Sequence, residues 1–217
     1  MKHDPIKANV LSTKLISKCD PTILKNLGAP DGYTSIGIIT SDCDDVSYVA
    51  LDEATKTARV QVIYAKSMYA GAANASTKLV GEFIGIIAGL TPADVQSGLQ
   101  AATHFIENEA NFVSADDNDE IAYFAHCISR TGSYLSQMAG IKEGDPLAYL
   151  IAPPMEAIYA LDGAMKSADV EMKLFYGPPT ETNFGGGLLT GDQAACRAAC
   201  RAFAEKVCYV ADNPLEY

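Results

Sequence analysis

The sequence predicts an α+β protein built as two tandem units, each with helices packed on a small sheet. Three observations predict it. A thirteen-residue stretch occurs twice, at residues 50–62 (ALDEATKTARVQV) and 160–172 (ALDGAMKSADVEM), at an offset of 110 residues without a gap. Seven of the thirteen positions are identical, where chance would give about one, so a unit of half the chain is duplicated. In both halves, short β-rich runs and helix-period apolar stretches follow in the same order. Apolar residues make up 48% of the 217, enough for a core in each half. The expected domains are residues 1–112 and 113–217.

The elements of the first half follow in order. Residues 8–18 (ANVLSTKLISK) read as a strand. A short helix over 21–27 follows, with Asp20 as its N-cap and Gly28 as its stop. Residues 35–40 (SIGIIT) are a buried strand. SDCDD at 41–45 offers N-caps to a helix over 46–58, whose Val46, Val49, Ala50 and Ala54 share one face. Residues 59–65 alternate as a strand, 69–78 (YAGAANASTK) read as a small, polar loop, and 79–88 as a strand. Pro92 opens a helix to about Asn108 with Val95, Leu99, Ala102 and Ile106 inward. Residues 109–120, with the run DDNDE at 116–120, are expected to be a solvated linker.

The second half repeats the plan. The strand 125–130 echoes residues 15–18 at an offset of 112, and 133–139 is the short helix stopped by Gly140. Residues 147–152 are the buried strand, 160–168 continue the helix, and 170–176 are the next strand. Residues 177–187 (GPPTETNFGGG) read as the second loop, with a strand beginning at 188–190. The last helix carries Cys196, Cys200, Phe203 and Val207 at the spacing of Val95, Leu99, Ala102 and Ile106.

Charge and motifs exclude several functions. A net charge of -11 opposes binding to a phosphate backbone or to an anionic membrane surface. No signal peptide or membrane span is visible, so cytoplasmic residence is expected. The six cysteines show no metal-ligand spacing and are expected as reduced core thiols. His3, His104 and His126 stand in no nucleophile or metal motif, so the chain is not expected to be an enzyme and requires no cofactor. The glycines of the second loop are not followed by Lys-Ser/Thr, which excludes a P-loop.

The doubled A-x-D-x-A-x-K-x-A-x-V, with NFGGGLLT at 183–190, resembles the bacterial microcompartment shell domain. The strand and short helix that precede the body of each half resemble its circularly permuted, ferredoxin-like form. SDCDDVSYVALDEATK, YAKSMYAGAA, SRTGSYLS, GDPLAYLIAPP, LTGDQAACRAAC and the terminal DNP are similar to the tandem shell proteins of ethanolamine utilisation, nearly end to end. That resemblance implies a homotrimer of pseudo-sixfold symmetry that meets other shell proteins edge to edge in a sheet. It implies a gated central pore, framed by the two glycine-containing loops: Tyr69, Ala70, Gly71 and Asn74 in one, Thr182, Asn183, Phe184, Gly185 and Gly186 in the other. Lys56 and Lys166 would lie at the shell edge. Ethanolamine is the small ligand implied, with Asp45, Glu82 and Phe112 as candidates to hold it: carboxylates for its ammonium and a ring for a cation–π contact. The second half has Ala152, Pro154 and Met155 where the first has Asp42, Asp44 and Asp45, so three acids are not needed merely to start this helix. Cobalamin, the cofactor of the enclosed lyase, is a possible passenger of the pore. The competing readings are a soluble small-molecule-binding sensory protein of two ferredoxin-like domains, and an enzyme with a site at the domain interface.

Overall fold

A computed structural model describes residues 1–67, 83–178 and 184–216. The chain forms two compact units. The N-unit holds Ala8–Ala110 and Gly132–Gln137; the C-unit holds Met1–Lys7, Asn111–Thr131 and Met138–Tyr217. The main break falls between Ala110 and Asn111, and each unit also takes a segment from the other half. The first residues join the C-unit because β1 (Pro5–Lys7) pairs antiparallel with β6 (Asn111–Ser114). Gly132–Gln137 joins the N-unit through hydrogen bonds described below.

In the N-unit the strands β2 (Val10–Ile16), β3 (Ser35–Ser41), β4 (Val60–Ser67) and β5 (Phe83–Gly89) form an antiparallel sheet in the order β2-β3-β5-β4. Helices α2 (Asp44–Thr57) and α3 (Pro92–Asn108) pack on each other and on this sheet. Their inward residues, Val46, Val49, Ala50 and Ala54 on one and Val95, Leu99, Ala102 and Ile106 on the other, are all buried. The short α1 (Pro21–Asn26) is capped as expected: the Asp20 carboxylate accepts from Thr22 N at 2.8 Å. Gly28 closes it at φ 72°, a conformation in which a side chain is strained.

The C-unit sheet runs β1-β6-β7-β8-β10-β9, with β7 at Ala122–Ile128, β8 at Leu147–Ala152, β9 at Val170–Tyr176 and β10 at Gly185–Gly191. Helix α4 (Ser133–Ala139) precedes β8 and is followed by Gly140 at φ 63°. Helices α5 (Pro154–Ser167) and α6 (Gln193–Asp212) pack together over the core of Leu150, Leu161, Leu189, Cys196, Phe203 and Val207. The duplication reaches fine detail. β4 skips one residue against β5 between Val62 and Tyr64, and β9 skips one against β10 between Met172 and Leu174. The extra residues, Ile63 and Lys173, are themselves 110 apart.

Two expectations need correction. The segment expected as a linker is largely ordered. Its NFVS forms β6, and the Asp116 carboxylate accepts from the backbone N–H of Asn118, Glu120 and Ile121 at 2.7, 3.2 and 2.7 Å. An acidic run beside a four-residue strand hides it. Gly185 and Gly186, expected in a loop, open β10 opposite Ala152 and Ile151. They serve close approach: a Cβ on Gly186 would lie 1.9 Å from the Leu150 carbonyl oxygen.

Candidate functional site

The N-terminus of α2 concentrates carboxylates. Asp42 holds Asn9 at two points, accepting from Asn9 N at 2.6 Å and from Asn9 Nδ2 at 2.7 Å. Cys43 takes the N-cap position with extended backbone (φ -143°) and makes no side-chain cap bond. Asp44 and Asp45 then enter the first helical turn, where carboxylates are stabilised by the exposed N–H groups and the helix dipole. Both are buried, at 3% and 6% exposure. The Asp44 carboxylate accepts from Asp45 N at 2.9 Å. Burial pushes the Asp44 carboxyl up to about 6, against the opposing pull of the Ser67 hydroxyl and nearby backbone N–H groups. Tyr48, one turn on, meets Ser67 Oγ at 3.0 Å and sets its ring edge-on to Phe83 at 4.9 Å. Burial also pushes the Tyr48 phenol up to about 12. The result is a low-dielectric, oxygen-rich environment at the start of α2.

The structure places the expected ligand residues as follows. Asp45 lies in this N-unit cluster. Phe112 belongs to the C-unit, where it is fully buried on β6, stacked on Phe124 at 5.4 Å and edge-on to Phe184 at 6.0 Å. Glu82 lies outside the described residues, as do Tyr69, Ala70, Gly71, Asn74, Thr182 and Asn183 of the expected pore loops.

The two repeated helices differ in what covers them. On α2, Asp52 is wholly buried. Its carboxylate accepts from Gly132 N at 2.7 Å and Leu135 N at 2.8 Å, while Thr55 Oγ1 accepts from Ser133 N at 3.1 Å. Tyr134 stacks on Tyr48 with centroids 6.5 Å apart. The first turn of α4 is thus fastened along Tyr48, Asp52 and Thr55. Gly132 is required there: a Cβ would lie 2.3 Å from Thr55 Oγ1. Burial holds the Asp52 carboxyl above the usual range, partly offset by these amides.

On α5 the positions 110 residues on are Ile158, Asp162 and Met165, and they are open, at 46%, 62% and 41% exposure. Met155 and Tyr159 extend the same exposed stripe. A groove of about 290 Å³ lined by Tyr159, Asp162, Gly163, Lys166, Ser167 and Lys206 runs beside it. Sequence reasoning did not find this surface, because the two stretches are nearly the same; the signal lay in Gly132 against Asp20 at the repeat-related N-cap. The two repeated lysines both sit in the last turn of their helices, where a cation complements the dipole. Lys56 pairs with Glu53 and lies 3.9 Å from Asp52; Lys166 pairs with Asp162 at 2.8 Å.

Comparison with known proteins sets this geometry in its class. Residues 35–116 match the BMC domain family. The bacterial microcompartment shell protein EutL of Clostridium perfringens is 62% identical over 217 residues, covering 100% of both chains. That of Escherichia coli is 47% identical over 98% of this chain and 97% of its own. The crystal structure of ethanolamine utilization protein EutL from Leptotrichia buccalis superposes with a TM-score of 0.96 at 68% identity, covering 100% of each chain. The class is therefore the bacterial microcompartment shell protein, with two permuted shell domains in one chain. Within it, this chain belongs to the EutL family. It is a structural shell component of the ethanolamine-utilisation microcompartment and not an enzyme, which sets aside the sensory and enzymatic readings. Among the described residues no helix is long and apolar enough to cross a membrane.

Proposed function

We propose that this shell protein works as a homotrimeric tile, six-edged by pseudo-symmetry, that meets other shell proteins laterally and passes small metabolites through a gated central pore. The observation that carries the trimer is the uncovered stripe of α5. The chain covers α2 with the first turn of α4, and its repeat leaves one further helix turn and one further surface unmatched. The turn is α1, whose Ile23 is 48% exposed where its repeat counterpart Leu135 is fully buried. The surface is Ile158, Asp162 and Met165. A second copy brings its α1 to this α5, and a head-to-tail contact of this kind closes into a ring. The contact is not an exact copy: Asp20 caps its own helix, so α1 offers Ile23 to an apolar stripe rather than amides to a carboxylate.

Lys56 and Lys166 are the proposed edge residues, supported by their equal place at the ends of α2 and α5. The gated pore, and any passage of cobalamin through it, fall largely on residues 68–82 and 179–183, outside the described residues, and rest on the family. Asp45 is the proposed anionic acceptor for ethanolamine, with Glu82 and Phe112 as further candidates. The buried Asp44 carboxylate beside it supports this, since an ammonium gains most from partners removed from water. Electron microscopy of the purified protein tests the tile: flat sheets are expected, and K56A/K166A should abolish the sheets while leaving single discs. Discrete particles without discs or sheets in the unaltered protein would reject it. For the ligand, D45A should weaken ethanolamine binding by calorimetry at least tenfold; unchanged binding would remove Asp45 from the site.

A further inference from the structure

The first turn of α4 lies on α2 and on the start of the edge strand β4. Besides the amides that Asp52 accepts, three residue pairs make this contact. Ser133 N donates to Thr55 Oγ1 at 3.1 Å, and Tyr134 stacks on Tyr48 with centroids 6.5 Å apart. Gln137 and Gln61 line one cavity of about 230 Å³, together with Tyr33.

The repeat carries each of these positions to a surface that the chain leaves open. An offset of 112 relates α1 to the first turn of α4. Gly28 and Gly140 close their helices at φ 72° and 63°, and Gly32 and Gly144 turn the chain at φ 85° and 95°. An offset of 110 relates α2 and β4 to α5 and β9, and the strand register agrees. Gln61 stands opposite Ala88, one residue before Gly89, and Glu171 opposite Thr190, one residue before Gly191. The three pairs thereby become Pro21 with Met165, Thr22 with Ile158, and Lys25 with Glu171. In each, both members change together. Pro21 has no N–H to give, and Met165 has no hydroxyl to receive one. Two stacked rings become two β-branched side chains. Two neutral amides become opposite charges, and Asp145 in the place of Tyr33 adds a second carboxylate on the receiving side. Lys25 is exposed, and so is Glu171, at 71%. Glu171 already accepts from Lys173 of its own strand at 2.7 Å, but a carboxylate has acceptor sites for a second cation.

We infer that Lys25 of one copy pairs with Glu171 of the next, and that this ion pair, in place of backbone amides, fixes how α1 seats on α5. The inference rests on the proposed trimer and names the contact by which that trimer selects its partner, a second copy of this chain. Ile23 gives apolar area, which tolerates sliding along the stripe. The ion pair does not, because a shifted or reversed approach separates it or brings like charges together. Each copy gives Lys25 to one neighbour and receives it at Glu171 from the other, so the contact runs head to tail and closes a ring.

The test compares K25E, E171K and the double variant K25E/E171K with the unaltered full-length chain, by native mass spectrometry over a dilution series. Both positions are exposed, so circular dichroism should be unchanged. Each single variant sets like charges at every contact of the ring and should raise the concentration for half-dissociation about tenfold, while the double variant should return to within about twofold of the unaltered chain. Co-expressed with tags of different mass, K25E and E171K should form mixed trimers beyond the random share, since opposite charges then meet only between unlike copies. A defect within one chain's own fold would not be repaired by the second substitution or by the second copy. Single variants that dissociate at the concentration of a trimeric unaltered chain would overturn the ion pair and leave the tile standing. So would a double variant no more stable than the weaker single one. An unaltered chain that is monomeric throughout would overturn the tile and the pair with it.

Discussion

Asp52 and Asp162 are the same residue in the same repeat position, and they should behave in opposite ways. Asp52 accepts two backbone amides with no exposed surface. Its removal strands both donors, so D52A should cost about 3 kcal/mol. Asp162 holds only a surface pair with Lys166, and D162A should change stability by less than about 0.5 kcal/mol. Urea unfolding of the two variants compares them directly, and equal losses would contradict the assignment of Asp52 as the anchor of α4. Asp44 gives a pH signature. Its carboxyl is raised to about 6 in the folded chain, while an unfolded aspartate titrates near 4. Between those values the folded state binds the extra proton, so this group's stabilisation is complete below pH 4 and is lost as pH rises to about 6. The slope is at most about 1.4 kcal/mol per pH unit. D44N should flatten the stability profile between pH 4 and 6 relative to the unaltered chain; parallel profiles would show that Asp44 does not titrate there.

Among the elements, β10 is the most demanding. It lies between β8 and β9, and Gly186 packs its Cα against the Leu150 carbonyl. G186A should destabilise the chain by about 2 kcal/mol or more, because the added methyl meets backbone rather than a movable side chain. A thermal shift within error of zero would mean that β10 relaxes freely. This strand also shows what could be read from the sequence. The alternation in VEMKLFY and the apolar run LAYLIA mark β9 and β8 directly, and Asp20 and Gly28 bound α1 by known capping chemistry. Three consecutive glycines carry a turn signal that outweighs their other use, which is to let neighbouring backbones close in, so the start of β10 was not visible. The burial of Asp44 and Asp45 was also hidden, since aspartates are seldom buried. The contrast between α2 and α5 leaves one trace in the sequence, Gly132 against Asp20, outside the repeated stretch; it is decided by which chain segment lands on each helix, and the two stretches themselves do not encode that.

At the scale of the whole molecule, duplication explains the fold and underlies the assembly we propose. A shell domain alone offers one α2-like surface and one α1-like turn. In the proposed assembly, the first turn of α4 covers α2 within one chain, and α5 is left to be covered by another copy. The apolar stripe of Met155, Ile158 and Met165 is therefore read as a buried surface of the assembly rather than as a defect of the monomer. Charge placed in that stripe should separate the copies without unfolding them, because none of these side chains enters the core of its own unit. Native mass spectrometry of the full-length chain beside I158E tests this most directly. The unaltered protein should appear at three times its 23.0 kDa mass, about 69 kDa, and I158E at the mass of one chain with its circular dichroism unchanged. An unaltered protein that is monomeric, or an I158E variant that remains fully trimeric, would contradict the account.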